Sequence, residues 1–309
     1  MGKRATREAL GDEVLKLGEE NKDIYVIDCD VSKSCKTLEF AKRFPDQHIN
    51  VGISEQNAVG MAAGLATTGK IPFVVTYAIF GSMRAVEQIR QEVCYPNQNV
   101  KILCSHGGLT PANDGASHQC IEDMGILRTI PGMNVIMPAD YTSARKLIRA
   151  ASVYQGPVYL RFTRDGIPDI YEDEDHFEIG KAKCLQDGND ISIMANGDTL
   201  FIAIEAAKIL AEEGISVRLY DFHTIKPLDV EAVKEAVKET GKIITVEDHN
   251  ILNGLGSAVC EVVAELGQGI VRRVGVQDRF GESAPYEALL EMNGITKENI
   301  CKIARELLK

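Results

Sequence analysis

No apolar run in these 309 residues approaches the roughly 20 needed to cross a bilayer, so no membrane-spanning helix is expected. The opening residues are basic (Lys3, Arg4, Arg7), but no apolar core or cleavage site of a secretory signal follows, which favours a cytoplasmic protein. The eight cysteines (Cys29, Cys35, Cys94, Cys104, Cys120, Cys184, Cys260, Cys301) contain no C-x-x-C pair. That argues against a zinc ribbon, a thioredoxin-like site and a disulfide scaffold, and for buried reduced thiols. A basic stripe is missing too: 34 Lys and Arg stand against 45 Asp and Glu, a net charge of -11 that disfavours nucleic-acid binding. There is no G-x-S-x-G elbow. His106 and His118 lack the short spacing of H-E-x-x-H and have no evident third ligand, so no metal site is expected on this chain. Gly254-Leu255-Gly256 lacks the third glycine of a dinucleotide fingerprint and reads as a helix entry.

What is present is a steady alternation of short β-branched runs with longer helical stretches, the pattern of an α/β chain with mostly parallel sheets flanked by helices. In the first half, strands are expected at 24–28, 48–53, 71–77, 100–105, 135–137 and 158–162. Helices are expected there at 6–17, 55–65, 83–93, 121–127 and 141–151. An acidic, polar stretch around Tyr171-Glu172-Asp173-Glu174-Asp175-His176 then marks a linker. Beyond it the alternation resumes, with strands at 191–195, 217–221, 243–246 and 271–276 and helices at 199–213, 229–239 and 256–266. Two consecutive domains follow, at 1–170 and 189–309, with 171–188 between them.

Two segments concentrate chemistry. In Gly52-Ile53-Ser54-Glu55-Gln56 a strand ends and a glutamate opens a helix. Alone, that is a helix N-terminal acid facing free amides, with Ser54 as cap. The helix that follows carries Gly60, Ala62, Ala63 and Gly64, which permit close packing and would hold the carboxylate rigidly at a crowded interface. The second segment runs from Ser105-His106-Gly107-Gly108 through Asp114-Gly115 to His118-Gln119. It follows a strand, at the sheet edge where open α/β proteins bind ligands. Singly, each histidine reads as a structural hydrogen-bonder; three glycines, two histidines and an aspartate in one loop suggest a polyol or oxyanion site.

Taken together, these blocks resemble the pyrimidine-binding and C-terminal domains of transketolases, thiamine-diphosphate enzymes. The run 71–80 ending in Tyr77 and Phe80, the blocks 127–140 and 156–164, and motifs around 221–229 and 246–256 agree with the same family. The resemblance covers the chain from about Ala5 onward. It implies that Glu55 hydrogen-bonds the cofactor's aminopyrimidine, that Tyr77, Phe80 and Met83 line its pocket, and that His106, Asp114 and His118 line the substrate channel, with His106 and His118 catalytic. Arg164 corresponds to a family arginine that grips a substrate phosphate. Ser32 and Ser34 sit where further phosphate-contacting hydroxyls stand, and a second phosphate arginine aligns loosely with Lys3 or Arg4. His223 and His249 read as structural.

In this family a Gly-Asp-Gly…Asn motif holds the diphosphate and its Mg2+ or other divalent cation, and no Gly-Asp-Gly occurs here. The resemblance therefore implies a split enzyme in which an N-terminal transketolase subunit supplies that half, expected as a heterotetramer acting on sugar phosphates. Rival readings are a deoxyxylulose-phosphate-synthase-like chain, a 2-oxoacid dehydrogenase β-type subunit and a non-catalytic paralogous binding subunit.

Overall fold

Runs of branched apolar residues, too short for helices and bounded by glycine, asparagine or aspartate turns, form the strands. In the computed structural model, which describes residues 2–309, they assemble into two main sheets. The first sheet runs in the order Thr224–Lys226, Asn134–Ile136, Val158–Arg161, Lys101–Ser105, Ile71–Tyr77, Ile24–Asp28, His48–Asn50. The second runs Ile270–Val276, Lys242–Asn250, Ile191–Ala195, Val217–Asp221, Lys183–Gln186. In each, all neighbours are parallel except one antiparallel edge strand, Thr224–Lys226 in the first and Lys183–Gln186 in the second. The chain is thus α/β, with two mostly parallel sheets flanked by helices. Central strands such as Lys101–Ser105 and Ile191–Ala195 are buried at every position, which is why they read as continuous apolar runs.

Three local outcomes differ from the sequence-based expectation. The strand expected to reach residue 53 stops at Asn50, because Gly52 adopts φ +71° and its N–H donates to the Asn50 side chain at 2.9 Å. The helix expected at 83–93 is replaced by two wide i→i+5 turns, Phe80–Arg84 and Ile89–Cys94, around a short helical piece at Val86–Gln88. Ser82 Oγ donates to the Ala78 carbonyl at 2.7 Å, drawing on an acceptor near the start of the first wide turn. Within the expected linker, Lys183–Gln186 forms the second sheet's edge; its residues alternate between half-buried and exposed, so its composition is that of a linker.

The two halves interlock. Thr224–Lys226, from the second half, pairs with Asn134–Ile136 of the first. Between the sheets lies a buried polar network. Arg161 is fully buried, with Nη1 3.3 Å from Asp123 Oδ1 and Nη2 donating to the Asp248 carbonyl at 2.6 Å. Tyr159 donates to the other Asp123 oxygen at 2.5 Å. Charges buried this deeply persist only when paired and hydrogen-bonded.

Candidate functional site

Five parallel strands of the first sheet deliver the candidate residues, each just past its C-terminal end. Ile24–Asp28 leads to Ser32 and Ser34, His48–Asn50 to Glu55, and Ile71–Tyr77 ends on Tyr77 with Phe80 and Met83 close behind. Lys101–Ser105 leads to His106, and Val158–Arg161 to Arg164. Parallel strands align their C-terminal ends, so residues far apart in sequence meet at one edge.

Glu55 opens the helix Glu55–Thr67 and is 2% exposed. Ser54 does not cap this helix through its side chain; its hydroxyl donates instead to the Val51 carbonyl at 2.8 Å. Among the described residues, the Glu55 carboxylate has one side-chain hydrogen-bond partner, Arg84, whose Nη1 donates to Oε2 at 2.8 Å. No local pattern marks Arg84, and its place on the wide turn Phe80–Arg84 is a consequence of the fold.

Tyr77 and Phe80 lie nearly parallel, with ring centroids 6.1 Å apart at 26°. The His106 ring sits 4.0 Å from Tyr77, and the His118 ring lies 6.4 Å from Tyr77 and 5.8 Å from Phe80. Met83 is more open, at the exposed side of the turn. These rings form one cluster that carries two imidazoles.

His106 adopts φ +62°, a left-handed backbone uncommon for a residue with a side chain. It is held there on several sides. Its Nδ1 lies 2.7 Å from Ser105 Oγ, and its Nε2 lies 3.4 Å from Arg7 Nη1. Behind it, side chains at Gly107 or Gly108 would place a Cβ about 2.1 Å from Arg161, so only glycine permits this approach. Burial, then the Arg7 and Arg164 cations and His118, push the His106 imidazole down to about 3. A neutral ring is therefore expected across the physiological range. The His106 ring signals in NMR should stay constant from about pH 5 to 9; a titration midpoint near the ordinary histidine value would contradict this.

Arg164 donates from Nη1 to the Pro111 carbonyl at 2.6 Å and to Asp114 Oδ2 at 2.9 Å, so it clasps the loop that carries Asp114 and His118. Arg4 points elsewhere: it pairs with Asp169 at 3.2 Å and lies 3.6 Å from the Tyr141 ring centroid. The arginine that the fold brings beside His106 and Arg164 is Arg7, at the start of the helix Thr6–Glu20. Burial and the Arg164 charge push its guanidinium below its ordinary value, and its buried Nε has no hydrogen-bond acceptor. Ser34 reaches this group through its carbonyl, which accepts from Arg7 Nη1 at 3.1 Å. The Ser32 carbonyl accepts from the Thr37 N–H at 2.9 Å, closing the turn that follows. Arg7 follows Arg4 closely in the chain, and that short basic cluster was the signal available in the sequence.

The second half of the chain buttresses the histidine loop. Asp248 accepts from the Leu109 N–H at 2.9 and 3.1 Å, and Gln119 donates to the Glu282 carbonyl at 2.9 Å. Ser283 also donates to the Asn113 carbonyl. His223 and His249 are buried, and burial pushes both imidazoles down to about 4. His249 accepts from the Gly125 N–H at 3.1 Å and His223 packs edge-on to Phe177, both away from the aromatic cluster.

Comparisons with known proteins fall in line with this geometry. The family profile "Transketolase, pyrimidine binding domain" matches residues 2–169, and "Transketolase, C-terminal domain" matches residues 180–300. An apulose-4-phosphate transketolase subunit of Phocaeicola vulgatus is 41% identical, over 99% of this chain and 98% of its own. The 6-deoxy-6-sulfo-D-fructose transketolase subunit SqwH of Clostridium sp. (strain MSTE9) is 36% identical, over 97% of this chain and 94% of its own. A solved split-gene transketolase, described as an inactive β4 tetramer, superposes with a TM-score of 0.91 at 45% identity and covers 99% of both chains. With both domains matched in order by such proteins, this chain belongs to the transketolase family, as a relative of the C-terminal subunits of split transketolases.

Proposed function

We propose that this chain is the pyrimidine-binding half of a two-chain transketolase, which moves a two-carbon ketol unit from a ketose donor to an aldose acceptor. The observation that carries the reading is the buried Glu55 carboxylate, linked through Arg84 to the face of Phe80, whose partner ring Tyr77 packs against His106 and His118. That donor set fits thiamine diphosphate: an acid for a ring nitrogen, and aromatic and thioether side chains for a flat heterocycle. When bound, the cofactor supplies the carbon nucleophile and electron sink for the ketol unit.

This chain's residues orient and exchange protons. Glu55 holds the aminopyrimidine by a proton-sharing hydrogen bond, and Tyr77, Phe80 and Met83 receive its ring. The neutral ring of His106, together with His118, contacts the sugar's reacting carbonyl and hydroxyls, and Asp114 takes a further hydroxyl. Arg164 and Arg7, with Ser32 and Ser34 beside them, receive the anionic end of a sugar phosphate; the unpartnered Nε of Arg7 is a donor suited to such an oxygen. Residues 1–170 act as the cofactor unit, 171–188 as a linker, and 189–309 as the unit that holds the histidine loop.

Among the described residues, no group of three or more His, Cys, Asp or Glu is placed to hold a metal ion. Because the family's diphosphate-binding Gly-Asp-Gly motif does not occur in this sequence, we assign Mg2+ and the diphosphate to an N-terminal partner subunit, in a heterotetramer. Among the described residues no helix is long and apolar enough to cross a membrane. All eight cysteines are free thiols, as in a reducing cytoplasmic setting. The test is reconstitution. The isolated chain should show negligible ketol transfer, and addition of the partner with thiamine diphosphate and Mg2+ should restore it. Full activity from this chain alone would overturn the two-chain reading.

A further inference from the structure

Arg84 occupies both features that an aminopyrimidine ring requires. Its Nη1 is hydrogen-bonded to the Glu55 carboxylate at 2.8 Å, and its guanidinium carbon lies 4.5 Å from the centroid of the Phe80 ring. A carboxylate that is 2% exposed is costly without a countercharge, and Arg84 is the cation that supplies one. Arg84 itself is 47% exposed and sits on a wide turn, so it is tied down at its tip rather than along its stem.

We propose that Arg84 is a placeholder for the aminopyrimidine: it neutralises Glu55 and covers Phe80 in the unpartnered chain, and the incoming ring displaces it toward solvent. The proposal rests on the assignment of Glu55 to the cofactor. Its physical content is a competition. A flat heterocycle with a ring nitrogen and a guanidinium both seek one buried carboxyl and one aromatic ring, and the two cannot hold them together. Cofactor binding then carries the cost of breaking the ion pair, which keeps the unassembled subunit from ordering its acid around nothing. Arg84 is in this sense a positioning residue acting through Glu55.

The test uses the reconstituted two-chain enzyme and the isolated chain. Arg84→Gln should lower the dissociation constant for thiamine diphosphate, measured by calorimetry with Mg2+ present, by about threefold or more. Arg84→Lys, which keeps the charge, should stay close to wild type. In the isolated chain, Arg84→Gln should lower the melting temperature, whereas in a Glu55→Gln background the same change should have little effect. Unchanged or weaker cofactor binding in Arg84→Gln would overturn the placeholder role. If instead Glu55→Gln bound cofactor and turned over like wild type, the assignment of Glu55 itself would fall.

Discussion

Glu55→Gln in the reconstituted enzyme should lower turnover by about 10²- to 10⁴-fold, the range expected for loss of a positioned acid–base group. The substitution preserves the shape of the side chain and replaces a buried charge by an amide. Glu55 is 2% exposed and its side chain is held by Arg84, so a neutral group at this position relieves the need for a countercharge. The fold should therefore survive, and the melting temperature should move little. What the amide lacks is an ionisable proton to share with a ring nitrogen. The result to look for is a large fall in kcat with an unaltered circular dichroism spectrum. Near-wild-type turnover in a folded variant would remove Glu55 from the mechanism.

The second large effect concerns the anionic end of the substrate. Arg7→Ala should raise KM for phosphorylated sugars about 10- to 100-fold, the equivalent of one charge-assisted contact, and raise it much less for unphosphorylated analogues, which lose only the Arg7 support of His106. Arg7 has a buried Nε with no acceptor and feels the Arg164 charge, which the nearby Asp165 counters less strongly than Arg164 acts, so an anionic group would be favoured beside it. Arg164→Ala should raise KM similarly and also lower kcat. The reason is structural: Arg164 clasps Pro111 and Asp114, so its loss also frees the loop that carries His118. Arg4→Ala provides the contrast, because Arg4 is committed to Asp169 and Tyr141 and should change neither constant much. Equal losses for phosphorylated and unphosphorylated substrates in Arg7→Ala would refute the anion assignment.

Most of the sheet architecture was legible in the residues because buried parallel strands are short apolar runs and amphipathic helices repeat at their own period. Strands such as Ile24–Asp28, Ile71–Tyr77 and Ile191–Ala195 occur where these patterns place them. The two antiparallel edges were the blind spot. Thr224–Lys226 and Lys183–Gln186 are three and four residues long and pair on one side only, so they carry little apolar signature. The wide turns at Phe80–Arg84 and Ile89–Cys94 were also illegible, since a helix period says nothing about one inserted residue.

The candidate site divides in the same way. The residue types at Glu55, His106, Asp114 and His118 announced polar chemistry beyond strand ends by local pattern, whereas Arg164 was marked only by the resemblance to the transketolase family. Which cations stand beside them was a matter of tertiary structure. Arg7 reaches His106 across 99 positions of sequence and Arg84 reaches Glu55 across 29, distances over which no periodicity operates. The clamp of the second half on the histidine loop, through Asp248 and Leu109, spans 139 positions. Local sequence set the elements and the chemistry each one carries; only tertiary packing decided which charges face one another, because electrostatic partners are chosen by distance in space and not along the chain.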